Sequence, residues 1–339
     1  MRRKVIIDQD TLGPAGTNLQ AVALLLNAPE VDVLAITVPT GDHWRDQQVR
    51  HALRLLEIMG RAEIPVAPGA EMPLVATPAT VAAWEAVHGK LIYNGAWDLA
   101  RPGRWADPRE VRDLPEGNPQ THPADEAAPD LIARLARTLP GEISLWCAAP
   151  FTNVALALAR EPRLPELIRE IHFMGGSFAP ATTAREFVQN PRREFNLRFD
   201  PEAARAVLRA PWRRLVCAPI DISQNVRATA AMFERIACAG TPLAAYLDRF
   251  GRRDRPMWDE VAAATWIEPA LVTHAEHHHL DVETTPGAAW GETLSRPAGQ
   301  PGASGPAAEV QLALDVPRFR DLFVRLCSRP GEKFCRPPS

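Results

Sequence analysis

The sequence predicts an α/β fold, an open and mostly parallel sheet of Rossmann-like type flanked by helices on both faces. Three observations carry that reading. Short apolar runs alternate with longer stretches of helical spacing, acidic or glycine-bearing turns close several of the runs, and the 339 residues are 46% hydrophobic and 23% charged. Parallel neighbours need crossovers, so strand-helix alternation implies a sheet buried between helices. A core of that size needs no covalent staples.

Taken in order, residues 5–7 read as a first strand, a helix begins near Asn18, residues 31–38 form a second strand and a helix runs through 49–59. The rhythm resumes with strands at 143–148, 170–174 and 215–220, interleaved with helices at 153–160 and 200–208. Asp200-Pro201-Glu202 is a strong helix start, because Asp caps free amides, Pro fits the first turn and Glu suits the positive end. A final strand at 309–316 precedes a last helix, and 297–307, rich in Pro, Gly and Ala, reads as a surface loop. Two segments break the alternation: 69–125, with Trp84, Trp97 and Trp105, and 177–193, which joins Gly175-Gly176 to Glu194. Both are expected to wall a pocket in a single domain spanning 1–339.

A net charge of -3 supplies no field that would gather phosphate backbones or acidic membranes, so neither nucleic acid nor membrane is an expected partner. The basic start Met1-Arg2-Arg3-Lys4 is followed by only three apolar residues before Asp8, too short a core for a secretory signal. A cytoplasmic protein is expected. Cys147, Cys217, Cys238, Cys327 and Cys335 are scattered and contain no CxxC pair, which points to neither disulfides nor structural zinc. His274, His277, His278 and His279 lie in an extended segment whose neighbours face alternate sides, which opposes their convergence on one ion. Gly13-Pro14-Ala15-Gly16 lacks the spacing of a dinucleotide-binding turn, which argues against a dehydrogenase.

Chemistry is concentrated at strand ends. Asp8-Gln9-Asp10 closes the first strand ahead of Thr11-Leu12-Gly13, where ligands of open α/β sheets bind. Further strings follow in order: Ala21-Val22-Ala23-Leu24, Leu34-Ala35-Ile36-Thr37-Val38 with Gly41-Asp42, Ala149-Pro150-Phe151-Thr152-Asn153, Phe173-Met174-Gly175-Gly176, Glu194-Phe195-Asn196, Asp200-Pro201-Glu202-Ala203-Ala204, Met257-Trp258-Asp259 and Thr284-Thr285-Pro286-Gly287. Their joint order resembles the inosine-uridine nucleoside hydrolase family over nearly the whole chain.

That resemblance implies hydrolysis of the N-ribosidic bond of a nucleoside, or of another ribosylated small molecule, by metal-activated water. It also implies a calcium ion and assembly as a homodimer or homotetramer. Carried over residue by residue, Asp10 is a metal ligand and general base, Thr152 offers its main-chain carbonyl, and Asp8 and Asp259 supply carboxylates. Asp42, Asn190, Glu194 and Asn196 would bind ribose, and Met174 would pack on the sugar. Trp258 stands where some members carry a histidine that protonates the leaving base. An indole cannot deliver that proton but can stack on a nucleobase, as expected of purine-preferring members. His88, Tyr93, Asn94, Trp97 and His122 are candidates for contacting the base.

One departure matters. The family's paired acids ahead of the first helix are missing, and Pro14-Ala15-Gly16-Thr17-Asn18-Leu19-Gln20 carries no carboxylate. Asn18 or Gln20 can offer a neutral carbonyl oxygen instead, which predicts weaker calcium binding or its loss. The alternatives are a nucleoside-binding protein with a decayed catalytic site, or N-glycosyl transfer to an acceptor other than water.

Overall fold

A computed structural model describes residues 2–301 and 305–330; Cys335 and part of the predicted 297–307 loop lie outside them. Nine strands form one sheet: β1 (Arg3–Gln9), β2 (Val31–Val38), β3 (Val66–Pro68), β4 (Ile143–Ala148), β5 (Glu170–Met174), β6 (Leu215–Ala218), β7 (Val272–Val282), β8 (Thr293–Pro297) and β9 (Ala307–Leu314). Their spatial order is β3-β2-β1-β4-β5-β6-β9-β7-β8. All pairs from β3 to β9 are parallel, and β7 runs antiparallel to both β9 and β8.

The alternation of β1 sorts its side chains between two cores. Val5 and Ile7 pack with the helices Thr17–Asn27, Arg45–Ile58, Trp258–Ile267 and Val316–Cys327. Ile6 joins the opposite core, under the helices Ala128–Thr138, Thr152–Arg160 and Pro201–Arg209. The first helix is buried from Asn18 to Asn27, which is why it reads as apolar all round rather than as a stripe. Asp200 caps the helix Pro201–Arg209 by accepting from Ala203 N, a contact of about 1 kcal/mol in ordinary helices.

Several boundaries differ from the sequence reading; β1, read at 5–7, runs from Arg3 to Gln9, and the helix read at 49–59 spans Arg45–Ile58. The strand expected at 215–220 stops at Ala218, because Pro219 has no N–H for the ladder and leads into the short helix Ile220–Ser223. The last strand begins and ends two residues earlier than expected, with Asp315 free to cap the closing helix. β3 and β8 are too short to show a period. Among the described residues no helix is long and apolar enough to cross a membrane, and Cys147, Cys217, Cys238 and Cys327 are free thiols.

Candidate active site

The carboxyl ends of the parallel strands gather a group of buried polar side chains. Asp8, Gln9 and Asp10 are all buried there; alternation separates Gln9 from the two acids, and different partners give Asp8 and Asp10 different tasks. Asp8 accepts from Thr37 Oγ1 at 2.6 Å and from Asn153 Nδ2 at 2.7 Å, lacing β1 to β2 and to the helix after β4. Its Oδ2 is buried without a hydrogen-bond partner. Burial pushes Asp8 up to about 6, against the pull of Thr37 and Asn153. One carboxylate oxygen of this expected metal ligand is thus committed to holding strands together, and the other is left without a partner.

Asp10 faces the turn after β2. Asn18 Nδ2 donates to its Oδ1 at 3.0 Å and the Asp42 amide to its Oδ2 at 2.7 Å. The turn after β2 comes so close that a Cβ on Gly41 would collide with the Asp10 carboxylate, so glycine is needed there. Gln9, on the same side of β1 as Val5 and Ile7, points to the helix Trp258–Ile267 and donates from Nε2 to Asp259 Oδ2 at 2.9 Å. Gln9 Oε1 is buried and unpartnered.

Three carboxylates share this neighbourhood. Asp10 is raised well above the ordinary range, first by burial and then by the charges of Asp42 and Asp259, while the Asp42 amide acts against the shift. Asp259 is raised by burial, then by Glu260, Asp42 and Glu194. Asp42 is raised by burial, with Tyr93, Arg104 and Asn18 acting to lower it. Crowded carboxylates in a low-dielectric cleft are a site organised to meet positive charge or to take up protons.

The opposite wall comes from β5 and the segment after it. Glu194 caps the short helix Phe195–Phe199, accepting from Asn196 N at 2.7 Å, Leu197 N at 3.1 Å and Gly176 N at 2.9 Å. Burial pushes it up to about 7 despite these three donors. Asn196 Nδ2 donates to the Met174 carbonyl at 3.1 Å and reaches its Sδ at 3.4 Å. Glu194, Asn196 and Met174 therefore form one unit. Asn190 ends the helix Arg185–Gln189 and accepts from Arg193 at 2.5 Å, a tie within its own loop. Thr152 opens the helix after β4, and its hydroxyl donates to Asp200 Oδ2 at 2.7 Å.

The departure near the first helix resolves clearly. Asn18 stands against Asp10, whereas Gln20 turns away and donates to the Ala15 carbonyl at 2.8 Å, bracing the turn ahead of the helix. Thr17 donates to the buried Glu260. Trp258 is half-buried, and its indole N–H is committed to Gln224 Oε1 at 2.8 Å.

Of the expected base contacts, His88 and His122 are exposed and Trp97 stacks on Phe199 at 4.4 Å. Asn94 is tied to Glu85 and Arg198. Tyr93 instead donates its hydroxyl to Asp42 Oδ1 at 2.6 Å. On β7, His274 and His278 flank Glu276 at 3.2 and 2.9 Å, and His279 meets the Gly305 carbonyl.

Sequence reasoning missed Gln9 as the partner of Asp259 and Tyr93 as the partner of Asp42. Period-2 alternation puts Gln9 on the opposite side of β1 from Asp8 and Asp10, but it does not name the partner. The pairing of Tyr93 had no local signal.

The chain resembles known proteins along most of its length. The model of the inosine-uridine preferring nucleoside hydrolase family matches residues 5–321. A probable uridine nucleosidase 2 of Arabidopsis thaliana is 31% identical over 247 residues, covering 73% of this chain and 68% of the relative. A pyrimidine-specific ribonucleoside hydrolase, RihA, of Citrobacter koseri is 30% identical over 297 residues, covering 84% and 85%. Among solved structures, a plant nucleoside hydrolase superposes with a TM-score of 0.75 at 24% identity, covering 97% of this chain and all of the other. An inosine-guanosine nucleoside hydrolase gives 0.75 at 21% identity, covering 96% and 99%. These last two bear on the fold.

Proposed function

The chain belongs to the inosine-uridine preferring nucleoside hydrolase family, and from that premise we propose how its own residues cleave a nucleoside. The protein is a nucleoside hydrolase, acting on the N-ribosidic bond of a small-molecule nucleoside. The observation that supports the assignment of its site is the gathering of buried Asp10 and Asp259 with half-buried Asp42 beyond the carboxyl ends of the parallel strands.

In the proposed reaction, water attacks the anomeric carbon while Asp10 takes its proton, and the C–N bond breaks with its electron pair leaving on the base. The products are ribose and the free base. A carboxylate held by Asn18 and the Asp42 amide is fixed in orientation, and its raised proton affinity suits a general base. Positive charge developing on the sugar ring is stabilised by the surrounding carboxylates. Glu194, Asn196 and Met174 form the sugar-side wall. Trp258, its N–H occupied by Gln224, is assigned to stack on the leaving base, which takes its proton from solvent.

The family is a class of metal-dependent hydrolases, and the donors here suit a hard cation. Asp10, Asp259, the Thr152 carbonyl, the Asn18 side-chain oxygen and the unpartnered Gln9 Oε1 are all oxygens. When bound, calcium supplies Lewis acidity to the water and the ribose diol. Among the described residues no three His, Cys, Asp or Glu side chains form a metal-binding group, and the amides of Gln9 and Asn18 already occupy acceptor positions on Asp259 and Asp10. Calcium is therefore proposed to be held weakly.

Turnover of purine and pyrimidine ribosides, with and without calcium, is the test. Release of free base and ribose is expected, rising with millimolar calcium; no turnover of any riboside overturns the reading. A homodimer or homotetramer in the cytoplasm belongs to the same proposal, supported by the resemblance, and sedimentation velocity tests the assembly.

A further inference from the structure

Residues 93–98 of the long insertion are fastened to the turn after β2. Ala96 N donates to the Gly41 carbonyl at 2.9 Å. Gly95 has φ of +54°, and a Cβ there would collide with that carbonyl and with the Phe195 ring. Tyr93 packs its ring on Phe195 at 4.9 Å, under the Arg101 guanidinium at 4.6 Å. Its carbonyl accepts from Arg198 Nη2 at 2.5 Å. Next to it, Asn94 is held between Arg198 at 3.3 Å and Glu85 at 2.8 Å. Backbone and ring are thus both fixed, and one freedom remains: where the hydroxyl points. It points at Asp42 Oδ1, at 2.6 Å.

Chemistry links the two residues. Asp42 stands where the resembling family has Asn, which brings its own N–H donors; an ionised carboxylate only accepts. A carboxylate offers about four acceptor positions, and a donor on one oxygen fixes the plane in which the others lie. Through its own amide, Asp42 also holds Asp10 Oδ2. Two hydrogen bonds, one at the Asp42 side chain and one at its amide, therefore link Tyr93 to Asp10, and the Asn18 side chain also donates to the Asp42 carboxylate.

We propose that Tyr93 is a positioning residue for sugar recognition: it orients the Asp42 carboxylate to accept from a ribose hydroxyl. This rests on the reading of the cleft as a nucleoside site. It places Tyr93 at the sugar end of the cleft, where the sequence had suggested the base end. The insertion then takes part in sugar recognition through a residue that need not touch the sugar.

The test compares wild type, Tyr93→Phe, Asp42→Ala and the double variant on a riboside and its 2′- and 3′-deoxy counterparts. Phe keeps the ring packing and removes only the hydroxyl. Tyr93→Phe is expected to raise KM for the riboside about tenfold with kcat changed less than threefold, on the scale of one lost charge-assisted hydrogen bond. The deoxy substrate that lacks the contacting hydroxyl should show no such change, and Tyr93→Phe should add nothing in the Asp42→Ala background. An unchanged KM, or an equal loss with and without Asp42, overturns the proposal. Calorimetric binding of the same compounds by the four proteins, with melting temperatures to verify folding, reads the effect independently of turnover. Failure of wild type to turn over any riboside would count against the hydrolase assignment, and the binding comparison would still decide the role of Tyr93.

Discussion

The two ends of the sheet treat buried charge in opposite ways. At the amino end, Glu170 accepts from Arg214 at 2.6 Å, Ser144 at 2.9 Å and Trp266 at 3.0 Å, and Arg214 also reaches Glu309 at 2.9 Å. Burial alone would raise Glu170, yet these donors outweigh it and leave it below the ordinary range. At the carboxyl end, Asp10, Asp42 and Asp259 crowd together, and all are pushed up. Ionic and hydrogen-bonding capacity is closed at one end and left open at the other. An open end lowers stability and keeps capacity for a ligand, which is how catalytic sites differ from structural ones.

The largest test of this contrast is Asp10→Asn. It should lower kcat at least a thousandfold, about 4 kcal/mol of barrier, with riboside binding retained. Melting temperature should barely change or should rise, because a crowded negative charge is removed. A large loss of stability with little loss of rate would place Asp10 among the structural acids. The amino end should give the mirror image. Glu170→Ala strips three donors of their acceptor and should cost roughly 3 kcal/mol in denaturant unfolding. Turnover per folded molecule should stay within twofold, and a larger drop would mean that the two ends are coupled.

A smaller effect concerns His172, inside β5 near the closed end, where burial lowers its pKa from 6.5 to about 4. Between those values the unfolded chain binds a proton that the folded chain refuses. The contribution of His172 is therefore full above pH 6.5 and is lost as pH falls toward 4. Acidification from pH 7 to 5 should cost about 2 kcal/mol through this residue. His172→Gln should flatten the pH dependence of unfolding by that amount; an unaltered slope would assign the acid sensitivity to other groups.

How much of this was legible in the sequence depends on the range of the interaction. The runs of β2, β4 and β5 were read to the residue, because a strand covered on both faces is a mostly apolar segment with abrupt ends. Asp8, Asp10 and Asp259 were placed at the cleft by their positions at strand and helix ends. Their division of labour was not legible, since Asp8 as a lace and Asp10 as a cleft acid differ only in what other elements bring to them. Gln9 meets Asp259 across 250 positions and Tyr93 meets Asp42 across 51, and no periodicity encodes such pairs. The turn before the first helix left Asn18 and Gln20 equally eligible; packing sets Asn18 against Asp10 and turns Gln20 to the Ala15 carbonyl.

That decision supplies the most delicate test of the open end. Asn18→Asp would add a fourth carboxylate, against Asp10 and within the field of Asp42 and Asp259. Without an ion, the new charge is unpaired among like charges and should lower the melting temperature in chelator. With calcium, the same charge adds an anionic ligand for a hard cation, and affinity read by calorimetry should rise about tenfold, roughly 1.4 kcal/mol. The stabilisation on adding calcium should then be larger in the variant than in wild type, since an ion that binds only the folded state stabilises in proportion to its affinity. Equal calcium affinity in both proteins would mean that residue 18 does not face the ion, and that the open end binds the sugar through hydrogen bonds with the cation playing no part at this position.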